Sequence, residues 1–408
     1  MAHKVTNLDQ CRICGSGDVK EFLNLPDMPL IDDYLREEAL GTEFIWPIRI
    51  FFCLGCGQAQ TLHDIDERAY YDDYQYSPAL SPFTQRFMQR LAEEIWRRYE
   101  YKPGDTVVEV GSSDGSQLTY FKNLGANVLG FELSTPLAQE ARRQGVEVVQ
   151  REFGESASED IPAHMLPVQV VVTTYTFDHM PDPLGFLKSA KKVLDPRRGL
   201  LVIEVHDLET IIERREFCLF AHEHPGYYST QTMQGVMRRA GFELLDVDLV
   251  PEAERRGNSL LVAATPQGSE LASGALPTMP LDPRSLEAGY MEFGKSVQTS
   301  LEGLREFVES RRKAGVRLAG YGTGGRGVMT LAAVARPEDF AYVCDKNPGF
   351  HGRYTPGSHI PIHSPERLLT DPVDEVIVFS FGYFQEISEE LKEFTNRGGK
   401  LISLLDIL

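Results

Sequence analysis

The stretch Thr106-Val107-Val108-Glu109-Val110-Gly111-Ser112-Ser113-Asp114-Gly115-Ser116 decides how the chain is read. A β-branched apolar run breaks at a small-residue turn, a helix-like segment follows, and a second apolar run, Val128-Leu129-Gly130-Phe131, ends on Glu132. Strand, turn, helix, strand and terminal carboxylate are the signs of a βαβ nucleotide unit with its ligand on the turn. Glycine there lets the backbone bend sharply and lets a ligand come close. Glu132 lies 21 residues after Gly111, where a second strand ends beside the first and its carboxylate can accept both hydroxyls of a ribose.

The spacing Glu-x-Gly-x-x-x-Gly differs from the dinucleotide pattern G-x-G-x-x-G. It resembles the first motif of class I S-adenosylmethionine methyltransferases, where no pyrophosphate has to be cradled. That resemblance implies a cofactor site of Glu109, Gly111, Ser112, Asp114 and Gly115 around the methionine end, with Glu132 on the ribose and Leu133 beside it. The competing reading is a plain βαβ turn that binds nothing.

Downstream, residues 137–144 read as a helix, 146–149 and 168–172 as strands, 184–194 as a helix and 199–206 as a fifth strand. In doubly wound sheets ligands lie outside the carboxyl ends of the strands, so Glu109, Glu132, His179 and His206 are expected to face one crevice. Next comes Phe217-Cys218-Leu219-Phe220-Ala221-His222-Glu223-His224-Pro225-Gly226. On an extended backbone His222 and His224 would share a face, and with no third ligand at helical spacing they favour acid–base work over metal. A helix over 235–240 and an antiparallel hairpin, 242–250 with 259–264, would end the sheet. A Pro/Gly/Ser-rich link over 265–280 marks a boundary.

Beyond it a long amphipathic helix, about 283–312, leads into a second βαβ unit carrying Gly320, Gly322 and Gly325 in the spacing G-x-G-x-x-G, with Arg326 at the turn and Asp345 some 20 residues on. A lone fingerprint of this kind is weak evidence for a dinucleotide. On the other side of the chain, Cys11-Arg12-Ile13-Cys14 and Cys53-Leu54-Gly55-Cys56 are two C-x-x-C knuckles separated by 38 residues. Together they supply the four sulfurs that structural Zn²⁺ prefers, leaving no open position for chemistry. Between Cys56 and the first nucleotide strand lies Tyr70-Tyr71-Asp72-Asp73-Tyr74-Gln75-Tyr76, dense enough in tyrosine for a loop over a ligand.

A chain of 408 residues suggests two to four domains, and 42% hydrophobic with 25% charged residues is ordinary for a globular protein. A formal charge of −19 argues against nucleic acid as a partner. No apolar run reaches membrane-spanning length and the start lacks a signal-peptide core, so the expected location is cytoplasmic without membrane partners. The sequence does not fix the oligomeric state, for which a monomer is the favoured expectation.

These segments together resemble the zinc-containing sugar C-methyltransferases, which methylate C-3 or C-5 of dTDP-linked deoxysugars in antibiotic biosynthesis. Besides the knuckles and the Glu109–Gly115 turn, the resemblance rests on Tyr74-x-Tyr76, Phe177-Asp178-His179-Met180-Pro181-Asp182, His222-Glu223-His224 and Gly352-Arg353-Tyr354-Thr355-Pro356-Gly357. It implies an α/β chain of three units: a zinc-binding domain over 1–75, a class I Rossmann-like methyltransferase domain over 76–267, and a smaller Rossmann-like α/β domain over 281–408 whose glycine turn is not an NAD site. The implied substrate is a nucleotide sugar. The expected catalytic set is His224 as base, Glu223 orienting it, His179 and Tyr76 on the enolate oxygen, and His222; Cys11, Cys14, Cys53 and Cys56 are the zinc ligands. Two departures stand out. Ala221 replaces the family's tyrosine before H-E-H, and Thr173-Thr174-Tyr175 replaces an asparagine-rich segment. They keep O- or N-methylation open as the alternative; a silent binding protein and an NAD-dependent oxidoreductase are the rivals from other classes.

Overall fold

A computed structural model describes residues 3–66 and 81–408. The expected tyrosine-rich loop, Tyr76 included, lies outside the described residues.

In the N-terminal region β1 (Val5–Asn7) pairs with β5 (His63–Ile65), while β2 (Val19–Pro29), β3 (Ile45–Cys53) and β4 (Ala59–Thr61) form an antiparallel sheet. The central sheet contains β6 (Thr106–Val110), β7 (Asn127–Phe131), β8 (Glu147–Val149), β9 (Val170–Thr174) and β10 (Leu200–Val205), all parallel. A two-residue strand, β11 (Gly226–Tyr227), leaves this unit, and β12 (Phe242–Asp246) with β13 (Leu260–Pro266) returns antiparallel to close the edge. The order β12-β13-β10-β9-β6-β7-β8 reverses direction of growth at β6 and β9, which opens the crevice at their carboxyl ends. Runs such as Val170-Val171-Val172 and Leu200-Leu201-Val202-Ile203 are buried throughout because helices cover both faces.

The C-terminal unit is a second parallel sheet, ordered β16-β15-β14-β17-β18, from β14 (Leu318–Tyr321), β15 (Tyr342–Cys344), β16 (Ile362–His363), β17 (Glu375–Val378) and β18 (Lys400–Ser403). The long helix before it runs Glu287–Lys313.

Three segments distant in sequence share one core. Phe22, Leu25, Ile50 and Phe52 of the first sheet pack with Phe217 and Phe220 of the central unit and with Tyr290, Phe293 and Val297 of the long helix. Each such side chain contributes roughly 1.5–3 kcal/mol relative to exposure, so the three segments stabilise one another. The helix comes so near β2 that a Cβ on Gly294 would collide with the Phe22 carbonyl oxygen.

The segment bearing the H-E-H motif is likewise spliced into the first sheet. Strand β11 pairs with β4 through Gly226↔Gln60 and Tyr227↔Ala59, and Thr61 N–H donates to the Pro225 carbonyl at 3.1 Å.

Candidate active site

The four knuckle sulfurs gather within 4.8 Å of one another, with Cys11 Sγ 3.6 Å from Cys56 Sγ and Cys14 Sγ 3.4 Å from Cys53 Sγ. All four cysteines are free thiols. Four sulfurs about 2.3 Å from a tetrahedral centre stand near this separation, so the set fits zinc and leaves no open coordination position. Gly15 and Gly57 take positive φ, and each N–H returns to the carbonyl of the first cysteine of its knuckle. Gln60 couples this cluster to the rest of the molecule. Its Nε2 donates to Cys11 Sγ at 3.1 Å and its Oε1 accepts the Arg12 N–H, while its backbone is the partner of Gly226.

At the Glu109–Gly115 turn, Gly111 and Gly115 have φ of +72° and +79°. Their lack of Cβ is also required by the chain itself: a Cβ on Gly111 would collide with Thr176 Oγ1, and one on Gly115 would sit 2.9 Å from Ala141 Cβ. Glu132 is anchored from both sides, its Oε2 accepting Ser113 N–H and its Oε1 accepting Ser134 N–H, each at 2.8 Å. Each oxygen keeps a lone pair for a further donor. Leu133 beside it is 40% exposed, an apolar face next to a polar acceptor. Two buried atoms here, Glu109 Oε2 and Ser112 Oγ, have no hydrogen-bond partner among the described residues. Burial pushes the Glu109 carboxyl well above its usual range, with Asp114 and Glu132 adding and Arg256 opposing. An acceptor left unpaired at such cost suits a cationic ligand group, and the donors and acceptors fit S-adenosylmethionine: Glu109, Ser112 and Asp114 at the amino-acid end, Glu132 at the ribose.

The neighbouring strand ends carry the second cluster. His206, directly after β10, has Nδ1 2.9 Å from Asp178 Oδ2, and one ligating atom from each of Asp178, His206 and His224 falls within 4.8 Å of the others. The ring centroids of His206 and His224 are 5.2 Å apart, and those of His179 and His224 are 4.6 Å apart, edge to face. Burial drives His179 down to about 3 and His206 down to about 4, the latter against the pull of Asp178. Both are neutral at neutral pH. Burial alone would raise the Asp178 carboxyl, but the His206 hydrogen bond holds it below its usual range.

His224 Nδ1 lies 3.0 Å from the Leu219 carbonyl. A carbonyl only accepts, so Nδ1 carries the hydrogen, and in the neutral imidazole the lone pair is on Nε2.

Between the two clusters lies a network that sequence reasoning missed. Glu204 at the end of β10 accepts from Arg256 and from Ser259 Oγ at 2.8 Å. Arg256 lies over the Tyr175 ring at 4.7 Å, and that ring is 4.7 Å from His206. Tyr175 sits at φ +50°, with its hydroxyl donating to the Arg256 or Asn258 carbonyl. Arg255-Arg256-Gly257-Asn258 at a hairpin tip pointing back to the strand ends was the available signal.

Two expectations about H-E-H are corrected. Residues 221–224 form a turn, with His224 N–H donating to the Ala221 carbonyl at 3.3 Å, so the two imidazoles do not share a face. His222 instead bonds His63 at 2.9 Å through Nδ1 and reaches the Met28 and Trp46 carbonyls through Nε2, inside the N-terminal unit. Glu223 does not orient His224; its Oε1 accepts the Ile31 N–H at 2.7 Å, and the Leu219 carbonyl fixes the imidazole. Burial raises Glu223 to about 8.

At the C-terminal glycine turn, Asp345 Oδ2 accepts both Thr323 N–H at 2.7 Å and Thr323 Oγ1 at 2.9 Å. The carboxylate that a dinucleotide reading assigns to a ribose closes on its own turn. Arg326 faces Glu216 of the central unit at 3.8 Å and lies over Phe381.

Comparison with known proteins follows the same division. Residues 11–71 match the family described as "Putative zinc binding domain", 80–247 the one described as "Methyltransferase domain", and 284–405 the one described as "C-methyltransferase C-terminal domain". The "C-methyltransferase NovU" of Streptomyces niveus is 28% identical over 405 residues, covering 98% of this chain and 96% of that protein. The "Uncharacterized methyltransferase OB1106" of Oceanobacillus iheyensis is 26% identical over 36% of this chain and 61% of its own. Among solved structures, the CcbJ methyltransferase of Streptomyces caelestis aligns at 14% identity over 50% of this chain and 96% of that one, with a TM-score of 0.36. Among the described residues no helix is long and apolar enough to cross a membrane. The protein is an S-adenosylmethionine-dependent methyltransferase with a structural zinc site, and the three matched regions together with the relative of nearly equal length support the zinc-containing C-methyltransferase family that its sequence resembles.

Proposed function

We propose that the protein methylates a carbon of a nucleotide-linked keto-deoxysugar, of the dTDP type, through an enolate formed by a base of its own. The observation that carries this reading is His224, a buried imidazole held through Nδ1 on the Leu219 carbonyl, which packs with the half-buried His179 and His206 at the strand ends next to the Glu109 turn. A carbon acceptor needs a base to become a nucleophile, whereas a cofactor site alone would serve any acceptor.

His224 Nε2 takes the proton α to the ketone. His179, neutral at working pH, offers one N–H to the developing enolate oxygen, as a neutral imidazole can without giving up its proton. Tyr76 would supply a second donor. Glu109 and Glu132 fix the donor's two ends, and holding the reacting carbons in line provides much of the acceleration. When bound, S-adenosylmethionine supplies an electrophilic methyl group on a sulfonium whose charge is lost in transfer.

In the test, purified protein is given a dTDP-4-keto-deoxysugar in deuterated water, without the methyl donor. Deuterium is expected to enter the α carbon, and His224→Asn is expected to lower both this exchange and methyl transfer by about 10²-fold or more. Near-wild-type turnover by His224→Asn would remove the base assignment. Methyl transfer without exchange would favour an oxygen or nitrogen acceptor.

A further inference from the structure

The loops after β9 and β10 lie side by side because their strands pair in register, Val202 with Val172 and Glu204 with Thr174. They bring Asp178 to His206 at 2.9 Å. An ionised carboxylate only accepts, so His206 Nδ1 carries the hydrogen and its Nε2 presents a lone pair. Asp178 is 2% exposed, and its Oδ1 has no hydrogen-bond partner among the described residues. His224 is differently placed, with a neutral carbonyl behind its Nδ1. If a proton arrives on His224, the resulting imidazolium is backed by a dipole; on His206 it is backed by a full negative charge, and charge-assisted hydrogen bonds are roughly twice as strong as neutral ones.

We propose, resting on the carbon-acceptor reading above, that the Asp178–His206 pair receives the substrate proton from His224 and that the imidazolium left by the reaction is His206 held by Asp178. The C–H bond breaks with its electron pair remaining in the enolate. The proton goes to His224 Nε2, then to His206 Nε2, and leaves for solvent with product. The His224 and His206 ring centroids lie 5.2 Å apart, a separation that one bridging water spans.

The groups facing His206 act on its charge in both directions. The Tyr175 ring is 4.7 Å away, with its hydroxyl committed to backbone carbonyls. The Arg326 guanidinium from the C-terminal unit and the His224 imidazole both disfavour a further positive charge, and His179 packs on His224. Among the described residues facing His206, Asp178 is the one that compensates, which makes it a positioning residue and the counter-ion. The same three groups also have the donor set of a divalent-metal site. The direct Asp178–His206 hydrogen bond favours the proton pathway.

The experiment compares His206→Gln, Asp178→Asn and His224→Asn for kcat, KM, the pH profile and the ratio of solvent-deuterium entry to methyl transfer. In His206→Gln, His224 can still take the proton but returns the same one, so deuterium entry should fall about tenfold more than methyl transfer. In Asp178→Asn the imidazolium loses its counter-ion, so the acid limb of kcat should move to lower pH as kcat falls. Unchanged S-adenosylmethionine affinity by calorimetry shows that each variant is folded; if Asp178→Asn fails this, His206→Gln carries the test. Wild-type kcat and exchange ratio in His206→Gln would overturn the proposal, as would a second metal ion per chain that His206→Gln loses. Full activity of His224→Asn would instead sink the underlying base assignment.

Discussion

The two glycine turns of this molecule, one at Gly111–Gly115 and one at Gly320–Gly327, share the plan strand, turn, helix, strand and acid, yet they treat polar atoms in opposite ways. At the first, the acid at the end of the second strand is steadied by backbone N–H groups on either side, and Glu109 Oε2 and Ser112 Oγ are buried without a partner. At the second, Asp345 is used on Thr323, and Ser380 and Phe379 occupy the room a Cβ on Gly322 or Gly320 would need. The buried unpaired atom nearest that turn, Arg326 Nε, belongs to a side chain directed at Glu216. A motif states only that the backbone can bend. Which polar groups are left wanting a partner distinguishes a ligand seat from a structural turn.

The sharpest way to break this contrast is to remove each acid. Glu132→Ala should weaken S-adenosylmethionine binding by about 10²-fold, as expected for two hydrogen bonds to a charged group at roughly 1.5–3 kcal/mol each, less partial compensation by water. Asp345→Asn should leave that affinity unchanged. Calorimetry reads both, and equal losses would erase the distinction.

A second pair separates affinity from stability. Gly111→Ala and Gly322→Ala each put a Cβ into an occupied space at positive φ, so both should lower stability by about 1–3 kcal/mol in chemical denaturation. Only the first should also weaken the methyl donor's binding in the folded fraction.

A further test concerns pH. Burial raises Glu223 to about 8, so between its unfolded value near 4.5 and about 8 the folded protein holds a proton that the unfolded chain has released. Its contribution therefore declines as pH rises through that window, by at most about 1.4 kcal/mol per pH unit. Glu223→Gln should flatten the corresponding slope of Tm between pH 5 and 8; an unchanged slope would show that Glu223 is not its source.

How much of this was legible beforehand follows from the range of each interaction. Apolar runs and glycine bends are local, and the expected strands at 128–131 and 168–172 correspond to β7 and β9 with shifts of one or two residues. The cysteine spacing likewise pointed to a site whose sulfurs do converge. The histidine segment was misread in its geometry because its conformation is dictated from far away: β11 pairs with a strand some 165 residues earlier, and the turn before it follows from that pairing. Arg256 and Glu204 were overlooked for a related reason. Each looks like an ordinary surface charge until the hairpin folds one over the other. Asp178 stands within the Phe177-Asp178-His179 motif, but its role depends on a partner across the strand ends that no local pattern announces.

The shared core has a consequence for the order in which the protein can be built. The apolar face made by Phe22, Leu25, Ile50 and Phe52 is completed by Tyr290, Phe293 and Val297, which a ribosome adds more than two hundred residues later. Until then the first segment to emerge carries an uncovered greasy surface, exposed for tens of seconds at ordinary elongation rates of about 5–20 residues per second. The nascent chain should therefore depend on holding by chaperones, and a fragment ending before the long helix should aggregate even when supplied with zinc.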